Sequence, residues 1–150
     1  MRKILTINKF IVIVLLIASF LRLYKLDQVP VSLFGDELDL GYQAYSILKT
    51  GRDYSGNFMP LHFQSLAEWR TPLYLYSAVP TVAIFGISPF GVRLPAAIFG
   101  ILGVWLFYLL VRELLKSDIQ NEFQNKVFPI LAALTLAISP WHIQYSRAGF

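Results

Sequence analysis

Four apolar stretches, separated by polar segments, organise the chain. They lie at residues 10–26, 72–87, 89–111 and 127–145. A helix needs about 20 residues, with a range of about 17–25, to cross the hydrocarbon core of a bilayer. The first, third and fourth stretches reach this range, whereas the second is shorter and contains Pro80. The pattern therefore predicts an all-α membrane protein with spanning helices near residues 10–26, 90–111 and 127–145.

The first stretch follows a basic and acid-free N-terminus of nine residues. It reaches spanning length only if Arg22 and Lys25 extend their charged ends to the membrane surface. A cleaved signal peptide also has a basic start and a short apolar core, but small residues mark its cleavage site. Bulky Phe20 and Leu21 stand at that point instead. We therefore expect an uncleaved first helix with its N-terminus in the cytoplasm.

Residues 27–89 form the first loop, and its pattern predicts helices that lie on the membrane surface. Apolar side chains recur there at spacings of four, three and three residues: Leu38, Tyr42, Tyr45 and Leu48. Polar side chains recur at the same spacings on another face: Asp39, Gln43, Ser46 and Lys49. This is typical of an amphipathic helix, here over residues 38–49 and ended by Gly51. The short apolar stretch at 72–87 is expected as a second surface-lying or re-entrant helix.

The topology depends on whether residues 72–87 cross the membrane. If they do not, loop 112–126 lies on the same side as the N-terminus; if they do, it lies on the opposite side. This loop contains three basic residues, and short loops rich in Lys and Arg stay in the cytoplasm. We therefore expect a cytoplasmic loop at 112–126 and place loop 27–89 on the extracytoplasmic side.

Composition agrees with a membrane protein and excludes several classes of site. The 150 residues are 56% hydrophobic and 15% charged, whereas soluble domains average about 45–50% and about 25%. The net charge of +4 comes from scattered basic residues that flank apolar stretches, so no nucleic-acid partner is expected. The absence of cysteine excludes disulfides, thiol nucleophiles and thiolate metal sites. His62 and His142 are too far apart in sequence to predict a metal site.

Asp36 and Glu37 are adjacent acids in the sequence FGDELD, just before the amphipathic helix. In a structural role, Asp36 is a good N-cap and Glu37 complements the helix dipole. In a catalytic role, one carboxylate at the membrane surface is a general base toward an acceptor hydroxyl, and its neighbour orients it. Both roles are compatible, because an N-cap holds a carboxylate at a fixed place.

Three arginines are candidate phosphate ligands. Arg70 precedes the short apolar stretch, Arg93 stands within an apolar run, and Arg147 follows the last stretch. Each is also explained as a membrane-surface anchor whose charged end reaches the lipid headgroups. A charge at membrane depth is costly and is usually paired, which makes Arg93 a functional candidate. A guanidinium offers a fork of donors that matches a phosphate.

The motifs FGDELD, RTPLYLY, FGVRLP and YSR follow one another in this order along the chain. In their order and spacing they resemble the N-terminal part of a superfamily of membrane glycosyltransferases with the GT-C fold. This superfamily includes the dolichyl-phosphate-mannose–protein mannosyltransferases and the aminoarabinose transferases. The resemblance covers nearly the whole chain from Leu26 onward. It implies a multi-pass fold whose first extracytoplasmic loop holds two surface-lying helices.

The resemblance also implies a function and a set of site residues. Such enzymes transfer a sugar from a polyprenyl or dolichyl phosphate to a hydroxyl of a protein, a lipid or a cell-wall glycan, outside the cytoplasm. The catalytic Asp of the family corresponds to Asp36, with Glu37 beside it. Arg70, Arg93 and Arg147 are expected at the donor phosphate, although the family often has a Lys where this chain has Thr71. The lipid-linked donor is the expected ligand, and the motifs do not decide whether a divalent metal takes part.

Members of this superfamily run to several hundred residues, so the chain is expected to be an N-terminal piece that lacks activity alone. An alternative is a non-catalytic membrane subunit or a protein that binds the carrier lipid. A transporter fragment is disfavoured, because the predicted spanning helices contain no Asp or Glu.

Overall fold

The computed structural model describes residues 9–65, 68–115 and 122–149, which are mostly helical and fit the all-α class. Their elements, in chain order, are α1 (Lys9–Leu23), α2 (Gly35–Thr50), β1 (Phe63–Ser65), β2 (Glu68–Arg70), α3 (Pro72–Phe85), α4 (Pro89–Leu115), α5 (Glu122–Ile138) and α6 (Pro140–Tyr145). The predicted cytoplasmic tail at residues 1–8 and positions 116–121 of the predicted cytoplasmic loop lie outside the described residues. The chain forms two compact units: Met1–Tyr24 with Phe99–Gln144, and Lys25–Ile98 with Tyr145–Phe150.

In the first unit, α1 packs along α5 and the later part of α4. The apolar core consists of Ile11, Val14, Ala18, Val104, Tyr108, Ala133 and Ala137. Arg22 is fully buried here and donates hydrogen bonds to the carbonyls of Ala18 at 3.1 Å and Ala137 at 3.0 Å. The carbonyl of Leu136 cannot accept the usual helical hydrogen bond from residue 140, because Pro140 has no N–H. Nη2 of Arg22 lies 3.5 Å from this carbonyl oxygen. Arg22 therefore ties α1 to the end of α5 and does not extend outward as the sequence predicts.

Helix α4 is the one described helix that is long and apolar enough to cross a membrane. It has 27 residues and contains the predicted span at 90–111. Helix α1 has 15 residues and ends at Leu23, short of the predicted 10–26. The predicted span at 127–145 is interrupted, because α5 ends at Ile138 and Pro140 begins α6. The topology with three spans therefore stays a prediction.

In the second unit, α2 packs against α3. The core between them consists of Leu40, Ala44, Ala78 and Val82, together with Val92 from the start of α4. Helix α2 begins three residues before the predicted 38–49 and ends at Gly51, whose φ of 69° suits glycine. Helix α3 begins with Pro72 in its first turn and ends at Gly86, close to the predicted 72–87.

Helix α2 has two apolar faces where the sequence predicts one. The buried face includes Leu40, Ala44 and Ile47, which contact the core of the unit. The predicted apolar face is instead exposed over its whole length: Leu38, Tyr42, Tyr45 and Leu48. Gln43, predicted on the polar face, is buried and donates to the carbonyl of Gln64 at 3.1 Å. The exposed face is therefore the one available for the predicted lipid contact.

A short antiparallel pair, β1 and β2, connects the loop after α2 to α3 and is absent from the sequence prediction. Phe63 pairs with Arg70, and Ser65 pairs with Glu68. Because side chains alternate along a strand, Glu68 and Arg70 lie on the same face as the buried Phe63 and Ser65. The pair therefore brings a carboxylate and a guanidinium together beside α2.

Candidate active site

The site begins at the first turn of α2. The helix starts at Gly35 with Phe34 as its N-cap, so the prediction of Asp36 as the N-cap is wrong. Asp36 and Glu37 lie inside the first turn, where negative charge complements the helix dipole. Glu37 accepts a hydrogen bond from the Phe34 N–H at 3.0 Å, which satisfies a donor at the helix end.

The two adjacent carboxylates face different environments. Successive residues of a helix are rotated by about 100° around its axis, so neighbours cannot share one face. The side chain of Asp36 is 44% exposed, whereas that of Glu37 is 3% exposed. Asp36 is therefore available to a ligand, and Glu37 belongs to the interior of the unit.

Glu37 and Arg93 form a buried, bidentate ion pair. Nε of Arg93 donates to Oε1 of Glu37 at 2.7 Å, and Nη2 donates to Oε2 at 2.8 Å. The other N–H groups of Arg93 donate to three backbone carbonyls: Leu26 at 3.3 Å, Pro30 at 2.8 Å and Ser32 at 2.8 Å. All five N–H groups of the guanidinium are engaged. Arg93 thus connects α4, α2 and the segment before α2.

The last described residue completes the environment of Glu37. The Gly149 N–H donates to Oε1 of Glu37 at 2.9 Å. A Cβ atom at Gly149 would lie 2.9 Å from Cγ1 of Val92, so a side chain at this position would force Val92 to move. Burial alone raises the pKa of Glu37, but the hydrogen bonds from Arg93, Gly149 and Phe34 and the charge of Arg93 lower it below its usual value. Glu37 is therefore held as a carboxylate.

Arg70 lies among three carboxylates. Its Nη2 donates to Oδ1 of Asp36 at 2.6 Å and to Oε1 of Glu68 at 3.1 Å. Its Nη1 donates to the backbone carbonyl of Asp36 at 3.0 Å and lies 3.7 Å from Oδ2 of Asp39. Burial lowers the pKa of Arg70, but the hydrogen bond and charge of Asp36 and the other two carboxylates raise it above its usual value.

A cavity of about 310 Å³ opens beside this ion pair. Its lining residues are Asp36, Leu40, Glu68, Trp69, Arg70, Thr71, Tyr74 and Leu75. Tyr74 donates to the carbonyl of Val92 at 2.8 Å, and burial raises its pKa, so the phenol stays neutral. The cavity thus combines two exposed carboxylates, a guanidinium and apolar side chains, and a few polar groups among apolar walls are typical of a ligand site.

Arg147 lies elsewhere in the same unit. Its Nη2 donates to the carbonyls of Lys25 at 3.2 Å and Val29 at 2.9 Å. Burial, followed by the nearby charge of Arg93, lowers the pKa of Arg147. Neither Arg147 nor the Glu37–Arg93 pair lines the cavity.

The chain resembles an arabinosyl transferase. It is 34% identical over 101 residues to undecaprenyl phosphate-alpha-4-amino-4-deoxy-L-arabinose arabinosyl transferase 1 of Pseudomonas fluorescens (strain Pf0-1). The match covers 66% of this chain and 17% of the relative, so the chain spans about a sixth of that protein. No family model and no solved structure matches the chain. The similarity to this transferase supports the glycosyltransferase class that the motifs predict.

The geometry divides the five predicted site residues into groups. Asp36 and Arg70 meet at the cavity, Glu37 and Arg93 meet in the interior of the unit, and Arg147 contacts the segment before α2. Within the described ranges, no group of three His, Asp or Glu side chains is placed to hold a metal ion.

Two further carboxylates at Arg70, Asp39 and Glu68, are not among the predicted site residues, and the sequence predicts only that Asp39 complements the dipole of α2 on its polar face. A signal was present for Glu68 in EWR, because the alternation of a strand places Glu68 and Arg70 on one face. Asp39 is three residues after Asp36, which places both on neighbouring turns of one helix.

Proposed function

We propose that the protein is a membrane glycosyltransferase that moves a sugar from a polyprenyl-phosphate carrier to an acceptor hydroxyl on the extracytoplasmic side. The observation that carries this proposal is the half-exposed Asp36 carboxylate on the wall of a cavity, 2.6 Å from Arg70. A base and a cation side by side suit a reaction that removes a proton from one oxygen and leaves negative charge on another. The name of the related transferase supports a lipid-linked sugar donor.

In the proposed reaction, Asp36 accepts the proton of the acceptor hydroxyl as its oxygen bonds to the anomeric carbon. The bond from that carbon to the phosphate oxygen breaks, and its electron pair stays on the lipid phosphate. A positioned base contributes about 10²–10⁴-fold to such a step. Arg70 stabilises the phosphate, an electrostatic contribution of about 3–4 kcal/mol per donor in comparable sites. A single displacement inverts the anomeric centre.

Glu37 and Arg93 have a positioning role in this proposal. All N–H groups of Arg93 are engaged with Glu37 and the backbone, which leaves none for a phosphate in this arrangement. The pair holds the first turn of α2, and Asp36 lies on that turn. Arg147 as a second phosphate ligand stays a prediction from sequence.

The membrane placement is also part of the proposal. Helix α4 spans the bilayer with α1 and α5 as further membrane helices, and the N-terminus lies in the cytoplasm. The exposed apolar face of α2 then lies on the outer lipid surface, since amphipathic helices bind there through apolar side chains. This placement brings the cavity to the level where the phosphate of a carrier lipid lies.

The test replaces Asp36 with asparagine in the complete protein and measures sugar transfer from a polyprenyl-phosphate donor. Asparagine keeps the shape of the side chain but cannot accept the proton, so we expect turnover to fall about 10²–10⁴-fold. Asp27→Asn is the matched control, because Asp27 is an exposed carboxylate outside the cavity. Turnover at the wild-type level in Asp36→Asn excludes the general-base role.

A further inference from the structure

The three carboxylates around Arg70 differ in how firmly they are placed. Asp36 binds both Nη atoms, one through its carboxylate and one through its backbone carbonyl. The Asp39 side chain is 18% exposed, and its Oδ2 is buried without a hydrogen-bond partner in the described part of the chain. Glu68 is 66% exposed and makes one contact with Arg70, at 3.1 Å. Glu68 is therefore the outermost and least constrained of the three.

We propose that a phosphate ligand displaces Glu68 from Arg70, while Arg70 keeps its bonds to Asp36 and so bridges the phosphate and the base. This inference rests on the proposed function and adds a positioning residue, Glu68, to it. In the free protein Glu68 occupies the Nη2 donor of Arg70 that the phosphate requires. When the phosphate enters, Glu68 turns to solvent and that donor passes to the phosphate oxygen.

Charge explains why one carboxylate must leave. Three carboxylates face one guanidinium, so the cluster in the free protein has a surplus of negative charge that opposes an anionic ligand. An exposed ion pair contributes little to stability, because water and salt screen it. Exchange at Glu68 therefore costs less than exchange at Asp36, whose bond to Nη2 is 2.6 Å long and is supported by a second bond to Nη1.

Exchange of Glu68 for a phosphate also explains how Asp36 is aligned with the lipid-linked sugar. Nη2 of Arg70 carries two hydrogens, one for Asp36 and one for Glu68 in the free protein. A phosphate oxygen in the place of Glu68 shares this nitrogen with Asp36. The planar guanidinium then sets the distance between the base and the phosphate, so that the acceptor hydroxyl can reach both Asp36 and the adjacent anomeric carbon.

The test measures lipid binding without turnover. The full chain in detergent micelles is titrated with undecaprenyl phosphate, with undecaprenol and with inorganic phosphate, and the fluorescence of Trp69 beside Arg70 reports binding. A Trp69→Phe variant identifies that signal among the other tryptophans. Glu68→Gln removes the negative charge but keeps a polar side chain of the same length, and Glu68→Ala removes the charge and the side chain beyond Cβ. Asp27→Asn is the control for the loss of an exposed carboxylate.

We expect both Glu68 variants to lower the Kd for undecaprenyl phosphate about two- to fivefold, the range that corresponds to an exposed ion pair. The Kd for undecaprenol should stay unchanged, and Asp27→Asn should bind as the wild type does. In the transfer assay the Glu68 variants should lower KM and leave kcat unchanged, whereas general damage to the fold would raise KM.

An unchanged or higher Kd for undecaprenyl phosphate in both Glu68 variants overturns the displacement. Equal binding of undecaprenyl phosphate and undecaprenol by the wild type overturns it as well, because the phosphate is then not recognised. A response to inorganic phosphate with the same dependence on Glu68 supports the exchange and shows that the phosphate suffices. Normal turnover in Asp36→Asn counts against the proposed reaction but leaves this binding result intact, so the two failures are distinguishable.

Discussion

Replacement of Glu37 by glutamine tests whether the buried ion pair holds the first turn of α2. Each carboxylate oxygen of Glu37 accepts two hydrogen bonds, so in either orientation the glutamine amide nitrogen faces two N–H donors. Removing one partner of a buried ion pair costs about 3–5 kcal/mol, because the other charge stays buried. Three backbone carbonyls still accept from Arg93, so we expect a loss of about 3 kcal/mol in the free energy of unfolding.

The absence of cysteine makes this loss measurable. A single cysteine at Ala78, which is fully buried in the second unit, reacts with a thiol-reactive dye only when that unit opens. Denaturant titration of the Ala78→Cys protein with and without Glu37→Gln gives the difference in free energy of unfolding. Asp27→Asn in the same background should change it by less than about 0.5 kcal/mol. A loss below about 1 kcal/mol for Glu37→Gln would refute the role of the pair.

The difference in free energy of unfolding between the wild type and Glu37→Gln should also depend on pH. The folded-state pKa of Glu37 lies below its ordinary value of 4.5, because the bonds from Arg93, Gly149 and Phe34 outweigh the effect of burial. The carboxylate therefore stabilises the fold fully above pH 4.5, and this contribution is lost as the pH falls through the folded-state pKa. The wild type should lose stability over this acidic range and approach Glu37→Gln. A difference that stays constant throughout the range contradicts the prediction.

Two further predictions concern packing and topology. A Cβ atom at Gly41 would lie 2.8 Å from Cγ2 of Ile87, so Gly41→Ala should lower the free energy of unfolding by about 1–3 kcal/mol in the dye assay. Gly35→Ala on the same helix meets nothing within 4 Å and should instead raise it by about 0.4–1 kcal/mol. Single cysteines at Asn57 and Asn121 should label from opposite sides of the membrane. Labelling of both from one side would show that α3 crosses the bilayer.

Helices α2 and α3 can be predicted from the sequence, because glycine and proline residues mark their ends. Gly51 and Gly86 end α2 and α3 in conformations with positive φ, and Pro72 begins α3. The β1–β2 pair cannot be predicted from the sequence, because strands of three residues are too short to show a recognisable alternation of apolar and polar side chains. The same limit applies to the second apolar face of α2, since small Ala44 adds little to a hydrophobic pattern.

The sequence predicts which residues are candidates for the site, but it does not predict which of them contact each other. The adjacent acids and the arginine in an apolar run mark chemistry, and the cost of a charge there predicts a partner for Arg93. That partner is Glu37, 56 residues earlier in the chain, and local patterns do not reach so far. For the same reason the sequence does not show which acid of the doublet faces the cavity. The orientation follows from the start of α2 at Gly35, two residues earlier than an Asp36 cap implies.

The bond between Gly149 and Glu37 has a consequence for biosynthesis. It joins groups 112 residues apart, and the stretch from Phe99 to Gln144 belongs to the other unit. A ribosome adds about 5–20 residues per second, so about 3–10 s separate the appearance of Ile98 from that of Gly149. During this interval Oε1 of Glu37 lacks the hydrogen bond from the Gly149 N–H. The first turn of α2 therefore completes its hydrogen bonds only after α5 and α6 have been synthesised.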